Sequence, residues 1–415
     1  MTIYKSELEV GDIPSKLVAI GLIFYYLIPH AIPFFHFSPH VLFFGAAFTI
    51  LLLQEKWSFT AHVKQNLIII LLGGLFFFSM LWALGNQPEI DYLRAWALSL
   101  MTFFIVSRTF HIFTLKKIRA SVFIMLSIWS AACIVQVSFR CENFFEWFGI
   151  TPDIIYATGL SRFSNHGAVI MVPMLIMTLT YNLEKINWWC CLVWMFGCAA
   201  LYFTLSRAGW LALIFAIFVM SFRYRRNLIK LRNITLHATL CLLIIFLAWS
   251  IPTKVDSYEL QGDQSGGRWA LNSSDDYSAA TRFITLKVAA KAVYEYPLTG
   301  LGVGAFPSYY SEHARQFAEG GKIDPRAKMT PHNGYAQLVA EVGLPVFIAF
   351  AIWLCWVISR LSMVLDQTAV GIHASIAGVL IWMIFHDGFY ERHLWILLGI
   401  AVATTSSRSS ILRAT

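Results

Sequence analysis

Charge is what this sequence has least of. Only 13% of its 415 residues are Asp, Glu, Lys or Arg, while 58% are hydrophobic and the mean hydropathy is +0.64. A soluble domain carries about a quarter of its residues charged, so an ordinary water-soluble globule is excluded. Cysteine is scarce as well. Of the seven, Cys133, Cys190, Cys191, Cys198, Cys241 and Cys355 lie inside apolar runs and only Cys141 falls in an outer connection, so no disulfide framework is legible. The N-terminus holds Glu7, Glu9 and Asp12 where a removable leader would be basic, and the first apolar run is therefore expected to stay. Outside the apolar runs no Cys, His and carboxylate spacing matches a metal site. The glycines of Gly302-Val303-Gly304 lack the strand and the third glycine of a dinucleotide fingerprint.

What is abundant is long hydrophobic sequence. Charge-poor runs sufficient to cross a hydrocarbon core of about 30 Å recur along the chain, and each must be helical because lipid offers no partner to backbone amides. The expected fold is an all-α polytopic membrane protein of about twelve transmembrane helices. The spans read as 17–35, 39–54, 66–84, 93–110, 118–138, 166–182, 188–204, 207–222, 234–251, 334–358, 369–386 and 393–407. The chain divides into membrane helices at 1–251, a large, partly helical outer loop at 252–333, and further membrane helices with a tail at 334–415.

Alternate short connections collect the basic residues, among them Lys56, Lys64, Lys116, Lys117, Arg225 and Arg226, while the opposite set holds only Arg94, Arg140, Arg162, Arg207 and Arg392. Basic loops are retained in the cytoplasm. Both termini are thus expected inside and the 252–334 segment outside. Topology accounts for the net charge of +8, and a nucleic-acid partner is not required.

Function is expected in the outer segments. In 252–334 basic and acidic residues occur in equal number, so any anion site there is a matter of geometry. Asp275, Asp276 and Ser278 offer N-caps for a helix running to about Tyr296, where Pro297 stops it. Phe283, Leu286, Ala290 and Val293 mark its apolar face, with Arg282 at the edge. The glycines Gly300, Gly302 and Gly304 then punctuate a turn that permits a ligand close to the backbone. A shorter helix carries Tyr309, Tyr310, His313 and Arg315. The chain re-enters the membrane through Thr330-Pro331-His332-Asn333-Gly334.

Each candidate has two readings. His332 sits at a helix start, where unpaired amides disfavour imidazolium and keep the ring able to accept a proton; it is either a general base or an interfacial anchor. Arg207 gains nothing from the helix dipole at its own helix start and needs an anion, or it snorkels at the interface. Arg282 and Arg162 face the same choice. Brought to one face, the three guanidinium forks would clamp a diphosphate. Asp387, in His386-Asp387-Gly388, would orient His332 or form an interhelical ion pair. Tyr309 and Tyr310 would stack on sugar rings, or serve as the aromatics expected at any membrane interface.

Three features resemble the bacterial O-antigen ligase and polymerase family. These are Gly159-Leu160-Ser161-Arg162-Phe163-Ser164-Asn165-His166, Ser206-Arg207-Ala208-Gly209, and Arg282 followed by Tyr296-Pro297-Leu298-Thr299-Gly300-Leu301-Gly302 and Pro331-His332-Asn333-Gly334-Tyr335. The likeness runs over about 155–405. The glycine-asparagine motif departs from the family in reading Ser164-Asn165-His166-Gly167, without the usual proline.

The resemblance implies a membrane-embedded, GT-C-like glycosyltransferase that needs no metal and no cofactor. Its site would lie in the large periplasmic loop, at the periplasmic face of the inner membrane. The donor would be glycan on undecaprenyl diphosphate and the acceptor a lipid A core oligosaccharide, both approaching through membrane lipid. Carried over residue by residue, the essential histidine would be His332 and the essential arginines Arg207 and Arg282, with Arg162, Asn333, Asp387, Tyr309 and Tyr310 as substrate-binding candidates. The absence of an extra C-terminal domain is closer to the lipopolysaccharide ligase than to the longer protein-glycosylating relatives. An O-antigen polymerase would use the same donor. A lipid-linked glycan or solute transporter is a different class, and it would concentrate ionisable residues at mid-membrane.

Overall fold

The computed structural model describes residues 13–27, 39–54, 74, 78–79, 81–82, 90–110, 115–139, 157, 164–184, 186–250, 274–317 and 329–414. The described residues are helical, with no strand among them. The helices are α1 (Ile13–Leu27), α2 (Pro39–Gln54), α3 (Ile90–Thr109), α4 (Leu115–Phe139), α5 (Ser164–Tyr181), α6 (Trp188–Phe203), α7 (Arg207–Arg223), α8 (Leu228–Ser250), α9 (Ser274–Glu295), α10 (Phe306–His313), α11 (Gly334–Ser362), α12 (Gln367–Trp382) and α13 (Arg392–Ala414).

This is the architecture of a helical membrane protein. Among the described residues three helices, Ile90–Thr109, Lys117–Val137 and Gly334–Ser362, are long and apolar enough to cross a bilayer, and four others are apolar but shorter, Asn165–Tyr181, Trp188–Phe203, Gln367–Trp382 and Arg392–Thr405. α1 to α8 and α11 to α13 fall on segments read from hydrophobicity. The 66–84 segment lies almost wholly outside the described residues. α8 begins at Leu228, six residues ahead of the expected start, because Lys230 and Arg232 of its first turns lie beyond the apolar run that marked it.

One continuous core runs through the bundle. At its centre Phe103 of α3, Phe350 and Trp353 of α11 and Trp395 of α13 meet ring to ring, with centroids 5.6–6.5 Å apart. α12 passes between α5 and α7 at very short range: a methyl group added at Gly378 would sit 2.7 Å from the Ala212 carbonyl oxygen. Lipid gives helices no hydrophobic reason to associate, so such backbone approach and its dispersion contacts do the work. At the far end of α7, Arg223 donates to the carbonyls of Ser362 and Val364 in the α11–α12 turn. α7 and α12 are therefore antiparallel. The start of α7, the end of α12 and the start of α11 all share one end of the bundle.

α9 and α10 form a second, smaller core outside that end, with Val288, Ala292, Phe306 and Tyr310 completely buried. How it attaches is not legible in the sequence. α11 breaks at Gly343 (φ 76°), two residues before Pro345. Proline has no amide to give the Glu341 carbonyl four residues earlier, and an unpaired carbonyl at this depth is costly. The Pro297–Gly302 loop supplies the missing bonds. Gly302 donates to Glu341 O at 2.8 Å and Leu301 to Ala340 O at 2.9 Å, while the Leu344 amide donates back to Pro297 O at 2.8 Å. Gly300, Gly302 and Gly304 all adopt positive φ. The close approach that these glycines permit is thus to α11 itself, in place of the ligand expected from the sequence.

The Glu341 side chain completes the joint. It is 1% exposed, receives the Gly304 and Phe306 amides, and lies 3.3 Å from the Gln337 amide. Ala305, the N-cap of α10, makes no side-chain cap bond. A carboxylate distant in sequence therefore takes the place of the Ser, Thr or Asp that usually satisfies the first amides of a helix.

Candidate active site

His332 is held by the start of α11, the end of α12 and the middle of α9. On one side the Thr285 hydroxyl of α9 is shared between the Arg282 carbonyl of its own helix at 2.9 Å and the Pro331 carbonyl at 3.2 Å. On the other, the turn after α12 takes the next residues: the Gly334 amide is 2.8 Å from Met383 O and 3.0 Å from His386 O. The Asn333 amide group donates to Ile384 O at 3.0 Å, and its carbonyl oxygen caps α11 by accepting the Ala336 amide. Tyr335 adds a bond to Leu380 O. Asn333 is committed by these contacts to building the site.

Within this frame His332 has φ 49°, a left-handed conformation unusual for a residue with a side chain. Such strain persists only where the surroundings over-determine it. Leu205, just ahead of the Ser206 cap of α7, repeats the geometry at φ 49°. Both signature segments, Ser206-Arg207 and His332-Asn333, thus turn sharply into a capped helix, with the long polar side chain at the mouth.

Asp387 meets His332. One carboxylate oxygen lies 3.9 Å from His332 Nδ1, close enough for electrostatic attraction though too long for a hydrogen bond. The other accepts the Tyr390 hydroxyl at 2.9 Å. Tyr390 is in turn fixed from α3, whose Ser99 donates to its carbonyl at 2.6 Å and whose Tyr92 ring packs on it edge to face. Burial and the neighbouring Asp387 charge push the Tyr390 phenol well up, so it stays a donor. The His332 imidazole is shifted down from its ordinary 6.5. Burial contributes most, Asp387 opposes, and the Arg282 guanidinium reinforces. A neutral ring at neutral pH, with Nδ1 toward a carboxylate and Nε2 left for substrate, is the arrangement of a general base.

Of the residues singled out in the sequence, His332, Asp387 and Arg282 come together, since Arg282 is close enough to act electrostatically on both His332 and His386. Arg207 is exposed, opening α7 at the same end of the bundle. Arg162 lies outside the described residues. Tyr309 and Tyr310 turn inward. Tyr310 is completely buried in the α9–α10 core, and Tyr309 is 8% exposed, donating to Glu295 at 2.5 Å and stacked on His313. Neither offers a free ring face to a sugar. Tyr390, Thr285 and Glu341 carry no mark in the sequence. Their types are commonplace, and only tertiary contact distinguishes them.

A helical membrane protein carrying a histidine, a carboxylate and an arginine at one bundle end is the class that fold and site define. A family model described as O-antigen ligase matches residues 190–351, the stretch from α6 into α11 that contains Arg207, Arg282 and His332. Over that stretch the chain is similar to the O-antigen ligase and polymerase family, whose members are glycosyltransferase-like enzymes acting on lipid-linked glycans. No curated protein and no solved structure matches it.

Proposed function

We propose that this chain is an O-antigen ligase of the bacterial inner membrane, which transfers glycan from undecaprenyl diphosphate to a lipid A core oligosaccharide at the periplasmic face. About twelve spans with both termini in the cytoplasm belong to the same reading. The observation that carries it is the His332–Asp387 pair with the Arg282 charge beside it, at one end of the bundle, with His332 and Arg282 inside the matched stretch.

In this reading His332 Nε2 takes the proton from an acceptor hydroxyl as its oxygen attacks the anomeric carbon from the face opposite the diphosphate. The bond to the diphosphate breaks with inversion. The carboxylate of Asp387 stabilises the imidazolium that forms. Arg282 and Arg207, with Arg162, bind the diphosphate and the charge that grows on it as it leaves.

The test is transfer by purified protein. Undecaprenyl-diphosphate glycan is supplied with either lipid A core or a second lipid-linked glycan as acceptor, with EDTA and no energy source. Product on lipid A core supports the ligase. Product only on the lipid-linked acceptor identifies a polymerase, and movement of the donor without covalent transfer identifies a transporter.

A further inference from the structure

The loop that carries Asp387 holds a second carboxylate. Glu391 reaches His166 Nδ1, at the start of α5, at 3.4 Å, and His393 Nδ1, at the start of α13, at 3.9 Å. Its side chain is 20% exposed and that of His166 29%, so the pair opens outward. His393 is different: it is 1% exposed, and neither ring nitrogen has a hydrogen-bond partner. Leaving a buried polar atom unpaired is costly, so this imidazole has hydrogen-bonding capacity to spare beside the carboxylate. Among the described residues no three such side chains are placed to hold a metal ion.

The group is continuous with the site already described. Trp382 packs on His386 (4.6 Å between ring centroids, stacked), and against His166 and His393 edge to face. His386 in turn lies in the fields of His332, His166, Asp387 and Arg282. The carboxylates and the arginines of the site come from different elements. The α9 and α7 side carries Arg282 and Arg207, while the 386–393 side carries Asp387 and Glu391 among imidazoles, with Arg392 following Glu391. A diphosphate is drawn to the arginines of α9 and α7, and the two carboxylates disfavour it beside them. A carboxylate beside imidazole nitrogens offers an acceptor and donors at close spacing, which suits a neutral hydroxyl-bearing sugar.

We infer that Glu391, with His166 and His393, forms the acceptor-sugar subsite, binding hydroxyl groups next to the one that His332 deprotonates. The inference rests on the transferase reading above, in which a hydroxylated acceptor meets a diphosphate donor. It makes Glu391 a determinant of acceptor specificity, with no part in donor binding.

Two measurements on the full-length protein in lipid nanodiscs test it. First, lipid A core oligosaccharide is titrated, without donor, onto wild type and Glu391→Gln, and lipid-linked donor is titrated separately. Loss of core binding by about tenfold or more, the size of one charge-assisted hydrogen bond, with donor binding unchanged, supports the subsite. Equal core binding, parallel loss of both ligands, or no core binding by wild type overturns it. Second, on unmodified protein, core analogues with an ammonium or a carboxylate replacing a hydroxyl beside the reacting one are compared. The anionic side should hold the cationic analogue more tightly than the parent and the anionic one less tightly, and the reverse order overturns the assignment even where Glu391→Gln does not accumulate. Neither arm requires turnover. Failure of the wild-type transfer assay therefore counts against the transferase reading, and failure here against the subsite.

Discussion

The Gly302 amide donates to the Glu341 carbonyl at 2.8 Å. With this bond a loop between two outer helices repairs the backbone of a membrane helix just below the candidate base. Pro345 creates the vacancy in α11, and the Pro297–Gly302 loop occupies it. The kink and the loop have no independent existence: each satisfies the other's polar groups, and together they set where α9, with Arg282 and Thr285, stands relative to His332.

Alanine at Gly300 should therefore be poorly tolerated. Its Cβ would lie 2.3 Å from the Glu341 carbonyl oxygen, and its φ of 66° strains any side chain. A loss of roughly 1–3 kcal/mol or more is expected, read as a lower thermal midpoint in detergent. Gly45→Ala is the control, because a methyl group there meets nothing within 4 Å. Equal midpoints for the two variants would remove the joint from the account.

Thr285→Val keeps shape and deletes the hydroxyl that reaches Pro331 O. Since Thr285 is buried, the Pro331 carbonyl loses a partner, at a cost of about 1 kcal/mol in stability. The larger effect is expected on turnover, with kcat falling and donor affinity retained, because this bond positions the residue just before His332. Rapid-quench kinetics on folded variant checks it. A fall in stability with kcat intact would reduce Thr285 to a structural tie.

The pH profile follows from the signs of the two charges beside His332. A base must be neutral, and burial holds its pKa below 6.5, so the acid limb of kcat/KM should fall below pH 6.5. Asp387 raises that pKa and Arg282 lowers it. Asp387→Asn should consequently move the limb to lower pH, and the residual activity of Arg282→Gln should show it at higher pH. Shifts in the same direction for both variants would contradict the electrostatic arrangement.

Arg282→Lys preserves charge but not the planar fork that pairs with phosphate oxygens. Loss of most activity with a raised donor KM is expected, while acceptor KM stays near wild type. Full activity would show that a point charge suffices and that no bidentate clamp exists.

Much of this arrangement is legible in the amino-acid sequence alone. Hydrophobic runs locate the membrane helices, since nothing but a helix satisfies its own backbone in lipid. His332, Arg282 and Asp387 stand out because polar groups at the mouths of apolar helices are few. The joint is not legible. Glycines at 300, 302 and 304 announce close approach without saying to what, and the partner is a carbonyl freed by a proline some forty residues later. Tyr309 and Tyr310 mislead for a related reason, because an aromatic residue in an outer loop can face a sugar or its own small core. The α9–α10 core cannot be seen until the helices are paired. Tyr390 and Glu391 are hidden among ordinary loop residues, and only the meeting of α3, α5 and α13 gives them partners.

In the proposed mechanism His332 removes a proton from the acceptor while the arginines hold the donor, so the two roles are separable. The direct measurement is single-turnover transfer by His332→Ala alongside its equilibrium binding of lipid-linked donor. Donor binding close to wild type with transfer abolished is expected. Robust transfer by that variant, or loss of donor binding in parallel with loss of transfer, would contradict it.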